Sequence, residues 1–247
     1  MNKKVLLTQI FIVISIFTIW QILASLNIIN TFIFSSPIKI IKTIKDLFIN
    51  YNLINHILIT SREIVISFIL GISIAFLSSI VLYLNKFLAQ VIDPFLTMLN
   101  SAPKVALGPI IIIWVGANEK AIIAMALLIN VIISILTIYN GFKETDEVKL
   151  KLFEVFKASK KDLMLHLVIP ESKPQIISAM KINISLTMIG VIMGEFLVSK
   201  AGIGYLINYG TQVFNLDMVI TGIFILIILS YLIYKVTELL DKNLSEN

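Results

Sequence analysis

The chain has 247 residues, of which 58% are hydrophobic and 14% are charged, and its formal net charge is +5. Soluble domains carry about 25% charged residues, and a soluble globule of this length cannot bury so much apolar side chain. The composition therefore excludes a soluble enzyme, a secreted domain and a disordered chain. It predicts a membrane protein with several spans of roughly 20 residues each.

The reactive side chains are few. Cysteine is absent and the two histidines, His56 and His166, are far apart in the chain, so we expect no disulfide and no metal site. The positive charge of a membrane protein mostly lies in its cytoplasmic loops, so we expect a lipid bilayer and no nucleic acid as the partner of this chain.

Stretches without charge mark six predicted spans. In chain order they are 5–26, 64–84, a broken third span at 93–119 that contains Lys104 and three prolines, 121–139, 174–197 and 218–234. The apolar runs lack the alternation of barrel strands, so the fold class is an all-α polytopic membrane protein. Lys3 and Lys4 resemble the start of a signal peptide, but the apolar stretch after them is too long, which favours an uncleaved anchor.

The distribution of basic residues predicts the orientation. With the N-terminus inside, the inner segments hold 13 of the 20 lysines and arginines, and the outer segments hold six. Basic residues are retained on the cytoplasmic side of membrane proteins. We therefore expect a multi-pass protein of the cell membrane with both termini in the cytoplasm.

A segment between the first two spans has helical periodicity without being long enough to span. Apolar residues recur at Ile38, Ile41, Ile44, Leu47 and Phe48, with charged residues between them. This pattern predicts an extracytoplasmic amphipathic helix that lies in the membrane interface or packs across the outer ends of the spans.

The inner loop at 143–173 differs from a simple connector. Its 31 residues hold 13 of the chain's 35 charges, yet apolar clusters persist on both sides of Lys157-Ala158-Ser159. Ser159 and Asp162 are spaced as a helix cap, and Pro170 and Pro174 are expected to end the second helix. The loop therefore predicts two short amphipathic helices that pack on the membrane domain or on a partner.

The second half of this loop, up to Leu167-Val168-Ile169-Pro170, resembles the cytoplasmic E-A-A loop of ABC-type importer permeases. In that register the family glycine falls on Lys157 and the E-A-A triplet on Lys151-Leu152-Phe153, so this chain departs from the pattern there. Four further segments match in order: Ser35-Ser36-Pro37, Asp93-Pro94-Phe95, Ile113-Trp114-Val115-Gly116, and the run from Gly194-Glu195 to Gly202-Ile203-Gly204-Tyr205. The last is typical of the nitrate, taurine and aliphatic-sulfonate branch, which includes relatives for vitamin precursors.

The resemblance implies a fold and a set of domains. It implies an N-terminal transmembrane helix at 1–30, the amphipathic helix at 31–56, and a permease core of five helices at 57–240. The coupling loop at 141–173 lies within that core, and a cytoplasmic tail follows at 241–247.

The resemblance also implies a function and partners. The chain would be a non-catalytic subunit that forms the pathway for a small solute, such as an anion of the sulfonate or nitrate type or a vitamin precursor. ATP-binding subunits, an extracytoplasmic solute-binding protein and a second permease copy would be its partners. No cofactor is expected in this chain, because ATP would bind to the partner subunits.

The expected site residues fall into two groups, neither of them catalytic. The docking residues for the ATPase would be Glu154, Lys157, Ala158, Ser159, Leu163, Leu167, Ile169 and Pro170. Pathway or gate candidates are Asn100, Ser101, Lys104, Glu195, Gly202 and Gly204. Ionisable residues inside a membrane are functional candidates, but Lys104 can equally neutralise Glu195, and Glu195 can pair with Lys200.

Three other classes of function stay open: an ion-coupled secondary transporter, a membrane-embedded enzyme, and an assembly or scaffold protein with no pathway. The sequence lacks the phosphate-binding loop G-x-x-x-x-G-K-S/T, so the energy comes from another chain or from an ion gradient. An ion-coupled secondary transporter predicts internal repeats and paired acidic residues at mid-membrane. A membrane-embedded enzyme predicts motifs such as H-E-x-x-H.

Overall fold

The computed structural model describes residues 3–245, with side chains up to Lys235 and that of Glu238. The predicted tail at 241–247 therefore lies outside the described side chains, and its last two residues lie outside the described residues. The charge of Lys242, counted in the orientation, belongs to this part. The described helices are α1 Lys3–Ser25, α2 Thr31–Phe34, α3 Pro37–Asn50, α4 Leu53–Leu84, α5 Lys86–Ser101, a 3₁₀ turn Lys104–Leu107, α6 Gly108–Val115, α7 Glu119–Lys143, α8 Glu147–Val155, α9 Lys160–Leu163, a π turn Met164–Val168, α10 Ile169–Glu171, α11 Lys173–Val198, α12 Ile203–Gln212 and α13 Leu216–Ser245.

The helices confirm an all-α protein with about six spans. Five helices are long and apolar enough to cross a membrane, namely α1, α4, α7, α11 and the part of α13 up to Lys235. The pair formed by α5 and the segment Lys104–Val115 bends by 90° at its break and would count as a sixth span if it crosses the membrane as one unit. Proline lacks the amide donor that helices need, and Pro103 lies at this break, where the sequence predicted a broken third span.

Two helices begin before the predicted spans. Helix α4 begins at Leu53 rather than at residue 64, and α5 begins at Lys86 rather than at residue 93. The prediction placed each boundary next to a charge. Helices continue past such charges when the side chain reaches water or a buried partner, and both cases occur around Arg62 and Glu63.

One compact unit comprises residues 1–59 and 200–228. Its core contains Leu47, Leu53, Leu206 and Met218. The predicted amphipathic helix is present as α3, capped by Ser36 and starting at Pro37. Its packed face differs from the predicted one, because Ile40 and Leu47 are buried while Ile41 is 68% exposed.

Helix α12 was not predicted from the sequence. It follows Gly202, whose φ of 109° is a conformation that residues with a Cβ rarely adopt. The helix has only ten residues, and it contributes Leu206 to the core of this unit. A helix this short does not require a long charge-free stretch in the sequence, and such stretches were the signal used to find spans.

The second compact unit comprises residues 60–199 and 229–247. Its centre is the contact between α7 and α11, where two glycines allow close approach. A Cβ on Gly190 would lie 2.4 Å from the Cα of Ala126, and one on Gly194 would lie 2.8 Å from the Cα of Ile122. Small residues at helix contacts are how membrane helices pack without a hydrophobic driving force.

Candidate functional site

The loop between α7 and α11 contains a defined reversal at the position of the family glycine. Lys157 has a φ of 52°, and it follows the end of α8. Its N–H donates to the carbonyl of Glu154 at 2.9 Å, and the N–H of Ala158 donates to the carbonyl of Phe153 at 3.0 Å. This pair of bonds is the Schellman motif, which usually has glycine at the left-handed position.

A second helical segment follows this reversal, as the sequence predicted. The Ser159 side chain accepts a hydrogen bond from the Asp162 N–H at 3.1 Å and donates to Asp162 Oδ2 at 2.5 Å. These bonds lower the pKa of the Asp162 carboxyl, because the hydroxyl hydrogen bond favours its charged form. The helix cap predicted at Ser159 is thereby confirmed.

Pro170 does not end this segment, contrary to the prediction. The chain passes through a π turn at Met164–Val168 and continues helically to Glu171. The Ile169 N–H donates to the carbonyl of Met164, which widens the turn just before the proline. Because a wide turn relieves the clash of a proline ring with the preceding turn, the helix path continues to Ser172.

The expected docking residues divide into exposed and inward-facing sets. Leu167 is buried, and Leu163 and Ile169 are half-buried, with the latter two packed on the core cluster that contains Phe142 and Val168. The exposed set is Glu154, Lys157, Ala158, Ser159 and Pro170. The inward set therefore anchors the loop on the membrane domain, while the exposed set is available to a partner.

The strongest exposed feature of the loop was not among the expected site residues. Val155 is 77% exposed and Phe156 is 75% exposed, and Val148 and Leu152 are exposed on the same helix. Positions i, i+4, i+7 and i+8 share one face of an α-helix, so these four residues form one apolar surface, which we call the α8 face. Glu154 lies on the other side of the helix.

An ion pair holds the start of α8 to the end of α10. Lys149 Nζ donates to Glu171 Oε1, and Glu171 Oε2 accepts from the Asp146 N–H at 3.2 Å. The Lys149 ammonium holds the pKa of the Glu171 carboxyl below its usual range, and Glu171 raises the pKa of Lys149. The α8 face therefore lies on a helix that is tied to α10 at its start and ends in a Schellman turn.

The pathway candidates at the break of the third span form one local group. Lys104 Nζ donates to the backbone carbonyl of Asn100 at 3.1 Å and lies 3.4 Å from Asn100 Oδ1. The Ser101 hydroxyl donates to the carbonyl of Thr97 at 3.2 Å. Lys104 thus caps the C-terminal end of α5, where a positive charge is favourable, and it does not neutralise Glu195.

Glu195 is buried among polar side chains of α4. Its Oε1 accepts a hydrogen bond from the Thr60 hydroxyl at 2.6 Å, and its residue is 1% exposed. On the same part of α4, Arg62 extends outward to Glu119 Oε2 at 2.7 Å, whereas Glu63 is buried.

A ladder of buried polar groups joins α7 and α11. Asn130 Nδ2 donates to Thr187 Oγ1 at 2.6 Å, Thr187 Oγ1 donates to Asn183 Oδ1 at 3.2 Å, and Asn183 Nδ2 donates to Ser134 Oγ at 2.8 Å. These bonds give each of the four buried side chains at least one partner, although Asn130 Oδ1 is buried without one among the described residues. Asn130 and Ser134 therefore have a structural role as hydrogen-bonding groups between helices.

The two glycine candidates lie in the other compact unit. The Gly202 N–H donates to His56 Nδ1 at 2.9 Å, and the His56 ring stacks on Tyr205 with 5.9 Å between ring centroids. Gly204 is buried in the first turn of α12. Gly202 is needed there for its positive φ, so its structural role is explained without a gate.

Comparison with known families identifies the chain. The family model described as the binding-protein-dependent transport system inner membrane component matches residues 64–246. The chain belongs to this family. It is an ABC importer permease and a multi-pass membrane protein, which confirms the resemblance found in the loop and in the segment from Gly194 to Tyr205.

Relatives of the permease include two of the resembled branch. The chain is 25% identical over 232 residues to the putative aliphatic sulfonates transport permease protein SsuC of Bacillus subtilis, covering 93% of the chain and 83% of that protein. It is 28% identical over 224 residues to the formylaminopyrimidine transport permease protein ThiX of Halalkalibacterium halodurans, covering 91% and 89%.

A solved structure shares the fold of the permease. An inward-facing form of the MetNI methionine ABC transporter matches with a TM-score of 0.70 and 18% identity, covering 79% of this chain and 97% of the matched chain. At this identity the match concerns the fold alone. It confirms the importer-permease architecture of the helices described above.

Proposed function

We propose that the permease works as a pair of identical copies, driven by two ATP-binding subunits and supplied by an extracytoplasmic solute-binding protein. In this proposal the loop at 141–173 receives the closure of the ATPase and transmits it to the spans as a rigid-body movement. Both termini lie in the cytoplasm. ATP is bound by the partner subunits, and this chain contributes no catalytic residue.

The single observation that supports the proposal most is the α8 face. Apolar residues three-quarters exposed to water are costly unless a partner covers them, and Val155 and Phe156 reach that exposure next to the Schellman turn. A loop that served only as a connector would keep such residues inside. The ion pair between Lys149 and Glu171 ties the start of α8 to α10, the segment that leads into α11.

The proposed substrate is a small solute of the kind handled by the relatives, an aliphatic sulfonate or a pyrimidine vitamin precursor. The ammonium group of Lys104 donates to the neutral carbonyl of Asn100, which leaves its positive charge in place. We assign selection among these solutes to the binding protein.

Site-specific crosslinking tests the docking proposal. The chain has no cysteine, so single-cysteine variants at Lys157 and Lys160 report one site each. We expect a crosslink to a co-expressed ATPase at both positions, and none for a cysteine at Lys120, which the orientation places outside. Absence of any ATPase crosslink in the loop would overturn the proposal.

Reconstitution tests the energy source and the solute. Proteoliposomes containing the permease, its ATPase and its binding protein should hydrolyse ATP faster when an aliphatic sulfonate or a formylaminopyrimidine is added. Uptake should persist when ionophores collapse the ion gradients and should stop without ATP. Uptake that follows the ion gradient instead would support a secondary transporter.

A further inference from the structure

The acidic side chains of the loop between α7 and α11 are largely engaged with neighbouring residues. Four of its carboxylates accept hydrogen bonds, namely Glu144 from Gln175, Asp146 from the Val148 N–H, Asp162 from Ser159 and Glu171 from Lys149. These bonds cap the short helices and join the segments of the loop. Most of the negative charge of the loop therefore stabilises its own structure.

Lys157 and Lys160 differ from these carboxylates. Every residue at 154–162 is exposed, and within the described part of the chain neither lysine has an ion pair or a side-chain hydrogen bond. A lysine ammonium is a compact charged donor on a flexible stem, so it can reach a carboxylate on another protein. Both cations are therefore available to a partner.

The other exposed charges near the α8 face offset one another. Glu147 and Glu154 lie on the other side of α8, with Lys151 between them at spacings of four and three residues. The charge of Lys161 acts on its neighbour Asp162. The positive charge of the loop tip, which we define as residues 156–160, is not offset by any of these groups.

The loop tip continues the α8 face on the side away from the membrane domain. Leu150 packs on the core cluster that contains Phe142, and at 3.6 residues per turn it lies opposite the centre of the α8 face. Phe156 is 75% exposed, and the Schellman bonds made by Lys157 and Ala158 fix the backbone directly after it. An aromatic ring and two cations therefore lie together on a defined turn.

We propose that the ATP-binding subunit has an apolar socket bordered by acidic side chains, in which Phe156 enters the socket while Lys157 and Lys160 pair with the carboxylates. This inference rests on the proposed function, because it names the chemistry of the surface that the loop meets. A buried apolar anchor with a polar rim is typical of protein interfaces. Opposite charges at such a rim steer the encounter and set the register, while the anchor contributes most of the affinity.

Binding of the purified ATP-binding subunit to the full-length permease in phosphatidylcholine nanodiscs tests the inference. At low salt we expect Lys157→Gln/Lys160→Gln to raise the Kd by roughly three- to thirtyfold, the range for two exposed ion pairs. Lys157→Glu/Lys160→Glu should raise the Kd further. At about 1 M salt, where the screening length is about 3 Å, both variants should bind nearly as the wild type does.

Lys86→Gln/Lys173→Gln is the matched control, because it removes the same charge from two exposed lysines that the predicted orientation also places inside. Its Kd should equal that of the wild type. An equal effect of the control and of Lys157→Gln/Lys160→Gln would indicate unspecific attraction and overturn the inference. Unchanged or tighter binding by Lys157→Glu/Lys160→Glu would overturn it as well.

Phe156→Ser and the lipid composition separate the inference from its alternatives. If Phe156→Ser weakens binding and the lysine variants do not, the loop docks as proposed but the partner surface is not acidic. If none of these variants changes the Kd, the proposed docking itself is wrong. If the lysine variants differ from the wild type only in nanodiscs that contain phosphatidylglycerol, Lys157 and Lys160 bind anionic lipid headgroups, and the acidic socket is excluded.

Discussion

Lys157 occupies a backbone conformation that suits glycine. Its φ of 52° is left-handed, which costs an L-residue roughly 1–2 kcal/mol. We predict that Lys157→Gly stabilises the turn by about 1 kcal/mol, because both Schellman hydrogen bonds are made by the backbone and stay intact. Hydrogen exchange of the Lys157 and Ala158 amides should slow about fivefold, the ratio that corresponds to such a free-energy change.

Lys160→Gly is the matched control for this prediction. Lys160 is also exposed, but it begins α9 after the Ser159 cap in an ordinary helical conformation, so glycine should weaken the segment there. Equal effects of the two substitutions on exchange would mean that the left-handed φ of Lys157 carries no cost.

The sequence located the turn at Lys157 but not the burial of Glu63. Counting back from Pro170 placed the family glycine on Lys157, and the structure has its left-handed turn at that residue. Arg62 and Glu63 are adjacent charges that look alike in a sequence, yet Arg62 reaches Glu119 while Glu63 is buried. No local pattern reveals which of two adjacent charges lies inside the protein.

At the scale of elements, the contact between α7 and α11 depends on Gly190. An added Cβ would lie 2.4 Å from the Cα of Ala126, and a backbone atom cannot move aside without moving its helix. We predict that Gly190→Ala lowers the stability of the permease by roughly 1–3 kcal/mol, seen as a lower Tm in detergent. Ser178→Ala, at an exposed position of the same helix, should leave Tm unchanged, and equal Tm values for both variants would contradict the close contact.

The ion pair between Lys149 of α8 and Glu171 of α10 should depend on pH. The Lys149 ammonium lowers the pKa of Glu171, so the ion pair stabilises the loop above the usual carboxyl pKa, and this contribution is lost as pH falls through the lowered value. We predict that Lys149→Met returns the pKa of Glu171 towards its ordinary value. NMR titration of ¹³C-labelled glutamate carboxyls measures the pKa of Glu171. The control is Lys151→Met, which should leave that pKa unchanged. A Glu171 pKa that does not move in Lys149→Met would exclude the ion pair.

Helix periodicity located α3 but not the face on which it packs. The sequence grouped Ile38, Ile41, Ile44, Leu47 and Phe48, yet the buried residues are Ile40 and Leu47. The predicted set and the buried set are both apolar, because a helix between lipid and protein is apolar on two sides. Periodicity alone therefore identifies such a helix, whereas its neighbours decide which apolar row is buried.

For the whole molecule, gaps between charges were a sufficient signal for the number of spans. Apolar length is what a bilayer requires of a helix, so all six predicted spans correspond to described helices or to the bent pair. The same signal could not reveal α12, which is short, or the division of the chain into two compact units, which depends on packing between distant segments.

The coupling of the whole transporter should depend on the α8 face. Burying a phenylalanine side chain contributes about 1.5–3 kcal/mol, and Phe156 is 75% exposed in the isolated permease. We predict that Phe156→Ser leaves the Tm of the permease unchanged while weakening its binding to the ATPase by roughly tenfold or more, since each 1.4 kcal/mol is a factor of ten. Glu147→Ser, exposed on the opposite side of α8, is the control. Solute-stimulated ATP hydrolysis at limiting ATPase concentration measures the effect, and equal activities for Phe156→Ser and the control would show that the ATPase docks elsewhere.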